Sequence, residues 1–407
     1  MDEGTEIINA LLSPAGAADP YPLYQRARAL GPAVPVWDDM LIATDYATVH
    51  QLLRDARFGV PDAPRREVFE PAFVEHSSLQ LLSKSILEVN APDHARMRSL
   101  IASVFTARRV ALLAPAVEAS VARMLDELAE RGADGRPVDF MDTFAFRLPV
   151  TVICELLGVP EQDRYRFRGL ATDLTAALEV LVSEEELAAA DRAGEELRDY
   201  FAELAAERRA HPREDLVSAL VQAADGADAR LTDEELLANL VLLLVAGFET
   251  TTNLLGNGLE LAFQHPWTLA GLREGRIPAA SFTEEVLRYD SPVQLTTRVP
   301  LVGGLELAGL PVPDKGGVFL LLGSANRDGA RYVDPDVFDP LRKDSQPLSF
   351  GGGAHFCLGA QLAKLEATTA LPALLDRFPG LARAGEPVRR ARLVLRGYES
   401  FPVALTG

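Results

Sequence analysis

The chain has 407 residues, 48% of them hydrophobic, and a formal net charge of −19. That length leaves room for one large or two to three ordinary domains, and no Ser/Gly-rich linker, low-complexity tract or internal repeat divides it, so residues 1–407 read as a single domain. The negative charge argues against general nucleic-acid binding, because phosphates would repel it; two cysteines exclude a disulfide framework and point to a reducing cytoplasm.

The first twenty residues carry Asp2, Glu3 and Glu6 and lack the basic and apolar regions of a signal peptide. The longest apolar run, Leu240 to Phe248, is shorter than the roughly 20 residues that span a bilayer, so no membrane partner is expected. Leu41–Thr44 reads as a short strand. Phe58 to Ala91, with Pro61, Pro64 and Pro71, reads as a long irregular stretch of the kind that carries function or moves. His94 and Arg98 then stand one turn apart on a helical segment. Val117–Ala129 and Glu196–Arg209 show apolar residues at spacings of three and four, the mark of half-buried helices. Cys154 reads as a small core residue.

Thr232-Asp233-Glu234-Glu235 fits a capping box. The helix that it opens can run to Gln264, before His265-Pro266, a length of roughly 48 Å. Its middle reads Ala246-Gly247-Phe248-Glu249-Thr250-Thr251-Thr252-Asn253. Glycine and three threonines are poor choices for a buried helix centre, and threonine can bond back to the helix carbonyls and bend it. A local rule broken inside an apolar helix points to function.

Glu285 and Arg288, three apart, share a face of a helix that Ser281–Glu284 is expected to cap. Val299–Leu307, Val318–Leu322 and Ala391–Leu395 are strand-like. Between the last two lies Ser349-Phe350-Gly351-Gly352-Gly353-Ala354-His355-Phe356-Cys357-Leu358-Gly359. A thiol is a strong ligand only as a thiolate. Three glycines let the backbone fold tightly around it. The helix expected over Ala360–Leu375 points its N-terminal dipole at the sulfur, and the Phe350 ring can shield one side. The pattern describes a buried, hydrogen-bonded, anionic sulfur. Zinc fits less well, since the chain has no Cys-x-x-Cys and no closely spaced His pair.

This loop resembles the haem-binding loop of the cytochrome P450 family, Phe-Gly-x-Gly-x-His-x-Cys-x-Gly. Phe350, Gly351, Gly353, His355, Cys357 and Gly359 fill its six fixed positions. The central segment is similar to the family's Ala-Gly-x-Glu/Asp-Thr, and Glu285-Val286-Leu287-Arg288 to its Glu-x-x-Arg helix. Asn326-Arg327-Asp328 and Phe338–Arg342 resemble the segment completing that network. One departure is Pro347, where relatives often have histidine; a small local effect is expected.

The resemblance implies a mainly α fold with small β-sheets, in which haem b lies between the long central helix and the Cys-bearing loop. It implies Cys357 as the axial thiolate, with Phe350 and Gly359 in the haem loop. It implies His94, Arg98, Arg298 and His355 as propionate contacts, and Ala246 and Gly247 as a groove for dioxygen. Thr250 would steady dioxygen through a hydrogen bond and Glu249 would relay protons. Glu285 and Arg288 would lock the fold. Leu242, Val245, Val293 and Tyr398 would line an apolar substrate pocket covered by residues 58–91. The expected activity is hydroxylation or epoxidation of a small organic substrate, in secondary-metabolite or antibiotic-type biosynthesis. Alternatives are oxidative coupling, desaturation or ring closure by the same chemistry, and a non-catalytic haem-binding protein. Electrons would come from NAD(P)H through a ferredoxin and its reductase, docking near Arg96, Arg108, Arg109 and Lys364; Arg342 and Lys343 are further basic residues in segments near the expected haem face. A cytoplasmic monomer is expected.

Overall fold

The computed structural model describes residues 2–103, 105–225 and 231–405. Helices dominate and the sheets are small. Two compact units emerge. The first holds residues 1–58, 114–148 and 250–407; the second holds 59–113 and 149–249.

In the first unit the main sheet runs Ala33–Val36, Met40–Ala43, Gly317–Leu321, Leu295–Pro300, with Phe58–Gly59 at its edge. Met40–Ala43 pairs in parallel with Gly317–Leu321, and the other central pairings are antiparallel. Gly317–Leu321 is buried at every position, as a central strand covered on both faces should be. Leu41, Ala43, Val318, Leu320 and Leu348 pack into one core beneath it. The expected strand over Val299–Leu307 is broken: Leu301 and Val302 are exposed and Gly304 takes φ 72° in a turn. Ala391–Leu395 forms no strand; Leu395 makes an isolated bridge to Val293.

In the second unit the helix Glu184–Ala210 packs against Phe167–Leu174, Leu216–Asp225 and Ser77–Ser83. The stretch Phe58–Ala91 is not irregular. It holds the helices Ala63–Phe69, Pro71–Glu75 and Ser77–Ser83. Pro64 and Pro71 occupy the first turn of their helices, where a missing N–H costs nothing. The ends are tied by Val60 and Asn90, which exchange two bonds of 2.9 Å.

The central helix spans Asp233–Gln264. Its capping box forms: Glu235 N–H donates to Thr232 Oγ1 at 3.1 Å, and Thr232 N–H donates to Glu235 Oε2 at 2.8 Å. By length and composition it is apolar enough to cross a membrane, yet 72% of its most apolar window is buried inside the protein, as in a core helix.

The Glu285 helix begins earlier than its Ser/Thr run suggests. It spans Ala279–Tyr289 behind Pro278, so Ser281–Glu284 lies inside it and does not cap it. Glu285 and Arg288 are fully buried and joined by bonds of 2.7 and 2.8 Å. Arg288 also donates to the carbonyls of Asn326, Pro335 and Val337, and Glu285 accepts from the Asp339 N–H. Removing one partner of a buried pair strands the other charge and costs about 3–5 kcal/mol. Glu285→Ala is expected to destabilise the protein by that amount in urea unfolding; a loss below about 1 kcal/mol would mean that the pair behaves as a surface one.

Candidate functional site

The Cys357 loop is built entirely within the first unit. Gly351 N–H donates to Leu348 O at 2.8 Å, and Cys357 N–H donates to Phe350 O at 3.0 Å, which closes the loop. Gly353 takes φ 64°, and a Cβ there would stand 2.1 Å from the Leu53 carbonyl oxygen. Only glycine fits that approach. The next helix, Ala360–Arg377, starts at Gly359 with no side-chain cap, so its first N–H groups carry the positive end of the dipole. A Cβ on Gly359 would lie 3.9 Å from Cys357 Sγ, which places the sulfur beside that helix start. Cys357 is exposed on its own chain. A thiol that ligates a metal must present its sulfur outward from its own chain, and this loop does so. Phe350 stands beside Phe356 at 6.4 Å between centroids, under the Lys364 ammonium at 5.4 Å.

Arg298 supplies an independent sign of an anionic guest. It lies on the strand Leu295–Pro300 and is 5% exposed. Burial pulls its guanidinium down to about 10. It donates to Thr297 O at 2.8 Å and Thr296 Oγ1 at 3.3 Å, and among the described residues no carboxylate pairs with it. A buried cation in that state is costly unless an anion joins it, and a haem propionate is such a partner. His355 is half-buried in the turn Gly353–His355 of the same unit. The residues therefore fit haem with its acidic side chains and a thiolate ligand.

Along the central helix, Leu240–Val245 and Thr251–Ala262 are buried throughout. Between them Ala246 is exposed and Gly247 and Thr250 are half-buried, so one narrow face opens at the polar break. Glu249 is 1% exposed. A Cβ on Gly247 would come within 2.6 Å of the Ile153 side chain, so this glycine is needed for close helix packing. Gly247 thus lies on the open face between Ala246 and Thr250 and also packs against Ile153. In the second unit, His94 is 4% exposed and Arg98 half-buried, one turn apart on the helix Asp93–Ala102. Leu242 and Val245 are buried on the central helix.

Val293 is half-buried and bridges to Leu395, flanked by Gln294 N–H donating to Val394 O at 3.0 Å. Tyr398 sits deeper. Its ring packs on Phe401, lies under the Arg389 guanidinium at 4.2 Å and approaches Gly256. That is core packing, and Leu395 is the C-terminal residue beside Val293. The sequence marks Ala391–Leu395 as strand-like but does not show that Leu395 meets Val293, a partner distant in the chain.

Sequence reasoning missed Asp290, a buried carboxylate bonded by Tyr21 and Arg396 at 2.7 Å and Arg389 at 2.8 Å. Its partners lie 99 to 269 residues away, so no local pattern marks them. Burial would push this carboxyl up; the two arginines and the Tyr21 hydroxyl outweigh it and hold it below the carboxylate range.

The expected basic patch is partly neutralised. Arg96 pairs with Asp93 and Glu235, Arg342 with Glu285, and Lys364 with Glu284. Arg108, Arg109 and Lys343 are exposed.

The family model described as Cytochrome P450 matches residues 35–275 and 280–390. The chain is 40% identical over 394 residues to the cytochrome P450 monooxygenase PikC of Streptomyces venezuelae, covering 95% of this chain and 91% of that protein. It is 37% identical over 401 residues to 6-deoxyerythronolide B hydroxylase of Saccharopolyspora erythraea, covering 96% of each. Among solved structures, the cytochrome P450 enzyme CxnD, for C–S bond formation in chuangxinmycin biosynthesis, superposes with a TM-score of 0.87 at 32% identity, covering 98% of this chain and 96% of that one. A family-model match across most of the chain, with relatives 37% and 40% identical over nearly its whole length, leaves one conclusion: this chain belongs to the cytochrome P450 family and is a haem-dependent monooxygenase.

Proposed function

We propose that residues 1–407 act as one catalytic domain that oxidises a small organic substrate in secondary metabolism, with Cys357 as the thiolate ligand of haem b. The observation that carries this is the narrow open face of Ala246 and Thr250 beside buried Glu249. When bound, haem supplies dioxygen activation, and thiolate ligation favours O–O cleavage. Arg298 and His355 of the first unit would hold a haem propionate, and the family resemblance assigns the same role to His94 and Arg98 of the second. The Thr250 hydroxyl orients a proton at the open face, and Glu249 passes protons to it. Buried leucines and valines on either side keep bulk water away.

The secondary-metabolite reading is supported by the relatives named for 6-deoxyerythronolide B and chuangxinmycin. By the family resemblance, Leu242 and Val245 on the central helix would be apolar lining, and Val293 with Leu395 would be apolar lining in the first unit. C–S bond formation by CxnD favours a second reading, bond formation without oxygen insertion. Product mass separates them: insertion adds one oxygen, and coupling removes two hydrogens.

Electrons reach the site from NAD(P)H through a ferredoxin and its reductase, and the enzyme works as a cytoplasmic monomer. Exposed Arg108, Arg109 and Lys343 are the charges left to attract an acidic partner. The purified holoprotein is expected to show no turnover with NADPH alone and to gain it on addition of ferredoxin and reductase. Turnover with NADPH alone would contradict this supply.

A further inference from the structure

His76 is 4% exposed, and both of its ring nitrogens face carboxylates of the helix Glu184–Ala210. Nδ1 lies 2.7 Å from Asp191 Oδ2 and Nε2 lies 3.3 Å from Glu184 Oε2. Neutral imidazole has one N–H and one lone pair, so one nitrogen would then point a lone pair at a carboxylate. Imidazolium donates to both as they stand; the Asp191 bond is the shorter and more buried one, while Glu184 is itself exposed. The other Asp191 oxygen accepts from the Ser78 N–H at 2.8 Å and the Ser78 hydroxyl at 2.6 Å, and Ser77 donates to Glu195 at 3.1 Å. Ser78 donates to Asp191 and not to His76, so the three do not form a nucleophile relay.

These bonds fix one end of a strap. The helix Ser77–Ser83 lies across Gly194, where a Cβ would meet Leu81 at 3.4 Å and the Ser78 Cα at 3.8 Å. At the far end Lys84 pairs with Glu234 at 2.8 Å, and the buried Ile86 N–H donates to Asn239 Oδ1 at 2.9 Å. Asn239 is on the central helix, one and two turns before Leu242 and Val245. The eleven residues His76–Ile86 therefore join two helices of the second unit, and polar contacts hold both ends.

We infer that His76 is a pH-sensitive latch: as imidazolium it clamps the strap His76–Ile86 onto the helix Glu184–Ala210, and its deprotonation loosens that end. The charged groups that meet the ring are Asp191 and Glu184 from the facing helix; Glu75 precedes it on its own segment. The Asp191 bond is the main cause that raises the His76 value above 6.5, against burial. Burial alone would raise the Asp191 carboxyl; the Ser78 bonds and His76 outweigh it and lower it. The sign follows. The clamp is complete below about pH 6.5 and is lost as pH rises through the raised native value. The strap's effect on substrate entry rests on the proposed lining at Leu242 and Val245, while the latch itself does not.

The test is hydrogen exchange of the holoprotein from pH 5.5 to 8.5, with each amide expressed as protection relative to its intrinsic rate. Protection of residues 77–86 should fall with rising pH, by about tenfold for each unit by which the histidine is raised. In His76→Gln it should be low and flat, and Asp191→Asn should likewise remove the slope. Flat protection in the unaltered protein, or the same slope in a folded His76→Gln, would overturn the latch. Neither result depends on the substrate reading, which is tested separately by the pH dependence of substrate binding.

Discussion

Thr250→Ala should uncouple electron use from product formation. NAD(P)H consumption should continue while product falls and hydrogen peroxide rises. Thr250 is half-buried at the open face of the central helix, next to Glu249 at 1% exposure. Removing the hydroxyl takes away the group that orients the proton and leaves room for disordered water. Haem and substrate should still bind, because the proposed haem contacts and the apolar lining lie on other residues. Glu249→Gln should behave differently. An amide keeps the shape but cannot relay a proton as a carboxylate does, so total turnover should slow. Losing a positioned acid–base group costs about 10²–10⁴-fold. The two variants thus separate where protons go from how fast they arrive. Full product yield per NAD(P)H in Thr250→Ala would favour a peroxide-driven or substrate-assisted route.

The elements that the sequence revealed best are those whose signals are local. The central helix starts at its capping box and stops before His265-Pro266, since both signals are written in adjacent residues. The Cys357 loop and the Glu285–Arg288 pair were equally legible, because each lies within a dozen residues. Misreadings came where one residue type serves two purposes. Prolines taken as loop markers in 58–91 open helices. Gly247, expected as groove space, also makes a packing contact with Ile153. Tyr398 was read as a pocket residue but is held in the core by Arg389 and Phe401. The Asp290 cluster, the buried Arg298 and the His76 clamp stayed hidden because their meaning lies in distant partners or in burial.

Ligation by Cys357 is the claim on which the rest depends. Its loop exposes the sulfur beside the start of Ala360–Arg377, and the chain's other cysteine, Cys154, is buried with its thiol pushed up to about 12, mainly by burial. A buried, protonated thiol is a poor ligand. The direct measurement is the absorption of the reduced holoprotein under carbon monoxide, where a thiolate ligand shifts the main haem band to the red. The unaltered protein and Cys154→Ala should both show the shifted band, and Cys357→His should lose it. A shifted band that survives in Cys357→His, or disappears in Cys154→Ala, would contradict the account.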